Sequence, residues 1–189
     1  MDILKASLTP EEFADFEIAY REDKARWHRT YDSGDFMIRT AIRIDSPKIV
    51  RILFEAGIRL TLVDDDNVLF EVKSGEVLQL LLAQGVPIEP TDENETPLFF
   101  YVSRNYVSAV NVAIGAGMDP DHEGDYGRPL HEAKSIEVAK ILLDHGVSRT
   151  ANDHMGRTPS ANAIFHERYD LAEYIDNYED LPIKGVILE

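Results

Sequence analysis

Residues 69–86, LFEVKSGEVLQLLLAQGV, return sixty-one residues later as LHEAKSIEVAKILLDHGV at 130–147, with ten of the eighteen aligned positions identical. This echo constrains the fold more than any other property of the chain. A short helical segment cannot bury its apolar face alone, so recurring copies must stack on their neighbours. In the later copy Ser135 is placed to cap a helix and Glu137 falls in the first turn, where the helix dipole favours negative charge. Val138, Ile141 and Leu142 then share one face, and Gly146 supplies a left-handed stop. Ser74 to Gly85 reads the same way. Ser46-Pro47 opens another copy, through Ile49, Ile52, Leu53 and Ala56 to Gly57, and Val107, Val110, Ala113 and Ala116 lead to Gly117.

The stop glycines 57, 85, 117 and 146 are separated by 28, 32 and 29 residues, a period that signals stacked helical hairpins. The segments GRPLHEA (127–133), TPLFFY (96–101) and DHMGRTPSANA (153–163) resemble the T-P-L-H-x-A signature of ankyrin repeats. IVRILFEAG, VLQLLLAQG and VAKILLDHG resemble the second ankyrin helix with its closing glycine. The resemblance covers roughly residues 31–178. It implies an all-α fold, an ankyrin-repeat solenoid of stacked helical hairpins, with repeats at about 31–60, 61–88, 89–120, 121–149 and 150–178. Gly34 falls where the family's turn glycine stands. Only His131 matches the signature histidine, which in the family bridges backbone groups of adjacent repeats; Arg39, Phe70, Phe99 and Ala161 hold that place elsewhere.

From the last signature position to the stop glycine there are sixteen residues in the first repeat (Ala41 to Gly57) and the third (Tyr101 to Gly117), but thirteen in the second (Val72 to Gly85) and fourth (Ala133 to Gly146). Long and short units alternate, and one of each makes the sixty-one-residue echo. The missing residues are expected to come from the first helix and the turn after it, leaving that helix about two turns long or partly 3₁₀. Phe99, Phe100 and Tyr101 are expected to pack beside the shortened neighbours; the other reading makes them an aromatic anchor on the concave face.

Solenoid ends need caps. Thr9-Pro10-Glu11-Glu12 is a helix start with a capping box, and Phe13, Phe16, Tyr20 and Trp27 mark one apolar face. Residues 1–30 are therefore expected to form an N-terminal capping helix. The tail 179–189 carries Leu181, Ile183, Val186, Ile187 and Leu188. It is read as a cover over the last helices, with a docking peptide as the alternative. Repeats, cap and tail together are expected to make one structural domain.

The formal charge of −16 opposes nucleic-acid phosphates and anionic lipid, so neither is an expected partner. With 44% hydrophobic and 29% charged residues the chain reads as a globular protein. It has no cysteine, which excludes disulfides, thiolate catalysis and cysteine-based zinc sites. The start of the chain lacks the basic-then-apolar pattern of a signal peptide, and the expected location is the cytoplasm. The six histidines show no recognisable metal-ligand spacing, and no nucleophile motif or phosphate loop is present, so no catalytic residue, metal or cofactor is expected.

Between Arg59 and Arg104 the basic residue Lys73 stands against nine acidic ones. In ankyrin repeats the inter-repeat loops form fingers beside a concave groove, the family's usual binding surface. The resemblance places Asp64, Asp65, Asp66, Asp92, Glu93, Glu95, Asp121, Glu123 and Asp125 on one acidic rim. A solvated acidic turn is the plainer reading of Asp64–Asp66. Ser103, Arg104, Phe165 and His166 match the family's variable positions facing the groove. Arg104, Tyr106, Tyr126 and Phe165 are the candidate anchors, since anchors are mostly aromatic or arginine. The expected function is non-enzymatic: a protein, monomeric when unbound, that masks a basic protein partner such as a toxin in the way of an inhibitor or immunity protein. The first alternative is a scaffold or secreted effector that docks on a host or cellular protein; the second, an enzyme, finds no reactive constellation in the motifs.

Overall fold

The computed structural model describes residues 1–26, 33–61, 67–88, 96–125 and 127–178. Among them the regular structure is helical throughout; the β pairing is one isolated antiparallel bridge, Gly124 with Gly127. The fold is all-α. Where the sequence leads one to expect a single domain, the contacts divide the chain into two compact units, Met1–Pro87 and Ile88–Glu189, each described by itself.

The first unit opens with α1 (Asp2–Ser7) and α2 (Pro10–Arg26), two helices where one capping helix is expected. The break falls at Leu8, which is extended, because Pro10 belongs at the first position of a new helix and biases Thr9 away from helical torsions. The capping box is present: Thr9 N donates to Glu12 Oε2 at 2.8 Å and Glu12 N to Thr9 Oγ1 at 3.2 Å. Lys48 Nζ lies 2.7 Å from Glu12 Oε1 and, with the Thr9 amide, holds that carboxyl below its ordinary range. Phe16 is buried and Phe13 and Tyr20 half-buried, while Trp27 lies outside the described residues. α3 (Ser33–Arg43) and α4 (Pro47–Glu55) form a hairpin packed against these helices. Gly34 sits inside the first turn of α3, not in a turn between elements, because the helix starts earlier than the repeat pattern suggests. A 3₁₀ turn, Val68–Glu71, packs on α3, and α5 (Gly75–Ala83) packs on α4.

The second unit repeats the scheme. α6 (Pro97–Ser103) pairs with α7 (Val107–Gly115), a 3₁₀ turn at Pro129–Glu132 pairs with α8 (Ile136–Asp144), and α9 (Pro159–Phe165) pairs with α10 (Tyr169–Asp176). The first members stack on one another and so do the second members: α6 and α9 flank the 3₁₀ turn, and α8 lies against both α7 and α10. Leu98, Tyr101, Val110, Leu130, Val138 and Leu142 are at most 1% exposed along this stack. Each such side chain contributes about 1.5–3 kcal/mol on burial.

The long and short units differ at one place. After α3, α6 and α9 the chain closes the helix with a left-handed residue, Asp45 (φ 55), Asn105 (φ 60) or Glu167 (φ 60). The amides of Ser46, Tyr106 and Arg168 then reach back to the carbonyls of Ala41, Tyr101 and Ala163 at 2.9 Å, the two-bond closure that satisfies orphan carbonyls at a helix end. In the short units Val72 and Ala133 leave the 3₁₀ turn directly in extended torsions, ψ 140 and 134. The three absent residues are thus the last helical turn and its left-handed cap. The shortened element is a single 3₁₀ turn of four residues: of the two forms the sequence allows it takes the 3₁₀ one, and it is shorter than two turns. The stop glycines 57, 85, 117 and 146 all have positive φ, 77 to 101, where a side chain would be strained.

Candidate partner-binding surface

Two arginine–aromatic clusters lie at matching helix ends in the second unit. At the end of α6 the cap residue Arg104 lays its guanidinium carbon 4.6 Å from the Phe100 ring, four residues earlier on the same face. Tyr106 stands 6.3 Å from the same ring. Ser103 Oγ donates to Phe100 O at 3.0 Å, so this hydroxyl is turned back onto its own helix. Arg104 is exposed and Tyr106 half-buried. At the end of α9 Phe165 is 67% exposed, with Arg157 4.8 Å and the His166 ring 5.2 Å away.

Of the three consecutive aromatics, Tyr101 is core: it is fully buried, and burial pushes its phenol far above the ordinary value. Phe99 and Phe100 are half-buried, and Phe100 is the platform under Arg104. The packing expectation therefore holds for Tyr101 and only in part for the two phenylalanines.

The acidic residues behave differently from a free rim. Asp121 Oδ2 lies 2.9 Å from Arg128 Nη1, and Glu123 Oε2 lies 2.9 Å from Arg128 Nη2. Arg128 also donates to Asp121 O at 2.8 Å, which ties the loop shut. Asp125 is exposed beside the Gly124–Gly127 bridge. Asp153 repeats the pattern with Arg157, at 3.0 Å. Burial acts to raise the Asp153 carboxyl, but the amides of Arg157 and Met155 and the Arg157 guanidinium outweigh it and hold it below the ordinary range. Asp64, Asp65, Asp66, Asp92, Glu93, Glu95 and Tyr126 lie outside the described residues.

Sequence reasoning missed Arg128 and Arg157. The signal was available: each follows a loop glycine and precedes the Pro or Thr of the signature, as Gly127-Arg128 and Gly156-Arg157. The bridging expected of His131 is present. Its Nδ1 accepts from Arg128 N at 3.2 Å, and Nε2 lies 3.1 Å from both Ala151 O and Arg157 O of the next hairpin, a pairing that fits the Nε2–H tautomer. Asn162 Nδ2 donates to His131 O at 2.7 Å from the same side. Arg39, which holds the histidine's place in the first unit, reaches Thr61 O in the same manner at 3.2 Å.

Among the described residues no group of three or more His, Asp or Glu side chains is placed to hold a metal ion, and no helix is long and apolar enough to cross a membrane. No protein family model matches the chain. Tyrosine-protein kinase HTK16 of Hydra vulgaris is 29% identical over 110 residues, covering 54% of this chain and 14% of that protein. The chain thus spans a small fraction of the kinase's length, and the likeness is one of sequence over that stretch.

Proposed function

We propose that this protein is a divergent ankyrin-type solenoid that binds another protein without catalysing a reaction. In this reading it masks a basic partner, such as a toxin, as an inhibitor or immunity protein does. The observation that carries the reading is the pair of clusters at matching helix ends, Arg104 on Phe100 with Tyr106, and Arg157 on Phe165 with His166. Aromatic and arginine side chains are the ones that most often anchor protein interfaces, and here Arg104 and Phe165 are the exposed members. The formal charge of −16 supports a basic partner, since it speeds encounter with one and repels acidic competitors. The alternation of long and short hairpins supports a groove of specific shape.

The test is capture from the source cell's lysate at low and high salt, followed by association kinetics with the purified chain. One basic partner, associating faster at low salt and released faster by Arg104→Ala and Phe165→Ala, supports the reading. Several neutral or acidic partners would sink it. One observation favours the second reading, a scaffold that docks on a neutral protein face: Arg128 already neutralises Asp121 and Glu123, so less of the acidic rim is free than the sequence suggests.

A further inference from the structure

Between Glu95 and Asp119 the one charged residue is Arg104. The hairpin of α6 and α7 therefore carries a single cation and no carboxylate of its own, in a chain of net charge −16. The other four arginines of the second unit are held by internal acceptors. Arg128 pairs with Asp121 and Glu123, and Arg157 gives Nε and Nη2 to Asp153 Oδ2 at 3.1 and 3.0 Å. Arg149 donates to the carbonyls of Ile175, Asp176 and Tyr178, and Arg168 to that of Ala133. Arg104 is exposed, and among the described residues its guanidinium has neither a hydrogen bond nor an ion pair; what it touches is the Phe100 ring. The 3₁₀ turn packed on α6 brings the half-buried Glu132, and the exposed Lys134 follows it, but among the described residues neither forms an ion pair.

We propose that Arg104 is the receptor for a side-chain carboxylate of the protein partner, an aspartate or glutamate set within an otherwise basic face. The ring of Phe100 covers one face of the guanidinium and leaves its in-plane N–H groups open, a planar fork that matches a carboxylate in two parallel bonds. Stacking also holds the fork in one direction, so less side-chain freedom is lost when the pair forms. The Phe165 cluster is a different kind of seat. Asp153 already holds two of the Arg157 donors, so that cluster offers its ring rather than its cation. A lysine or arginine opposite Arg104 would be repelled, which makes this position select among basic partners. The inference rests on the protein-binding reading above and adds to it the one acidic group that the partner presents.

The test needs no partner, so it fails separately from the lysate capture. The full chain labelled with ¹⁵N-arginine is titrated at low salt with acetyl-Leu-Glu-Leu-amide and with its Gln twin, and the arginine Nε–H signals are followed by NMR. The Arg104 signal, identified by its loss in Arg104→Lys, should move with the Glu peptide. The Glu peptide should bind about fivefold more tightly than the Gln peptide, the upper end for an exposed ion pair. The Arg157 signal should stay in place, because Asp153 occupies its Nε–H. In Arg104→Lys, which keeps the charge and loses the fork, the preference for Glu should largely vanish when followed at the Tyr106 ring protons. An Arg104 signal indifferent to both peptides overturns the proposal. So do equal responses to Glu and Gln, a parallel shift of Arg157, or a preference for Glu that survives in Arg104→Lys.

Discussion

The Ser135 hydroxyl accepts from Val138 N at 3.2 Å and donates to Asn105 Oδ1 at 2.7 Å, so one side chain both starts α8 and grips the left-handed residue that ends the preceding long hairpin's first helix. Ser74 does the same in the first unit, accepting from Val77 N at 3.4 Å and donating to Asp45 Oδ1 at 2.6 Å. The left-handed position is strained for any side chain, and only residues with a short polar arm gain an acceptor there. The short units lack a left-handed closing residue of their own, and their capping serines lean on that of the long unit before them.

Ser135→Ala should therefore destabilise the protein by about 1–2 kcal/mol, the usual range for losing an N-cap, read as a fall in the urea midpoint at unchanged slope. Asn105→Gly relieves backbone strain but loses the acceptor, whereas Glu167→Gly relieves strain with no serine partner lost. Glu167→Gly is expected to stabilise by up to about 1 kcal/mol, more than Asn105→Gly. In the Ser135/Asn105 double-mutant cycle a coupling of about 0.5–1 kcal/mol is expected. A coupling of zero would reduce Ser135 to a cap alone.

Two glycines separate strain from crowding. At Gly146 (φ 77) an added Cβ meets open space, so Gly146→Ala should cost only the left-handed penalty, about 1–2 kcal/mol. At Gly127 (φ 101) the same atom would stand 3.0 Å from Asp153 Cβ and 3.4 Å from His131 Nδ1. Gly127→Ala should cost more than Gly146→Ala by thermal or urea denaturation, and it should speed amide exchange in the 151–157 loop by displacing the His131 bridge.

Tyr101 gives a pH dependence of known sign. Below the ordinary tyrosine value of 10.0 the phenol is protonated in folded and unfolded chains alike, so it adds no slope. Above it the unfolded phenol ionises while burial keeps the folded one neutral. Stability then falls with rising pH by up to about 1.4 kcal/mol per pH unit. Lys140, raised by its hydrogen bond to Asp144, also loses its stabilisation on the alkaline side. Tyr101→Phe separates the two: its stability should lie on a flatter curve above pH 10, and an unchanged slope would show that Tyr101 is not the group responsible.

The second helices α4, α5 and α8 were legible in the sequence because each carries a local signal: a serine at the cap position, an apolar stripe and a glycine stop. The alternation was legible from counting, and it predicted where residues were missing. What counting could not give was the form of the shortened element. Whether thirteen residues make two cramped turns or one 3₁₀ turn and an extended step depends on where Ser74 and Ser135 find their partners, Asp45 and Asn105, about thirty residues earlier. α1 escaped notice because six residues hold too little periodicity, although Leu4 is fully buried. On the candidate surface Arg104 and Phe165 were legible as exposed types. The pairing of Asp121 and Glu123 with Arg128 was not, because net charge along a sequence does not record which charges fold onto each other.

That pairing supplies the sharpest test between the two functional readings. Arg128→Gln removes the cation that Asp121 and Glu123 share and leaves both carboxylates to solvent, raising the negative charge of the loop beside Asp125. If a basic face is recognised there, the association rate should rise at low salt, and the gain should shrink as salt screens the rim. A neutral partner would show no such gain. The loop also loses the bond from Arg128 to Asp121 O, so a small fall in stability is expected in either case and does not decide the matter. The deciding measurement is the slope of log kon against ionic strength for wild type and variant: a steeper slope in Arg128→Gln supports the acidic rim, and identical slopes assign recognition to the Arg104 and Phe165 clusters alone.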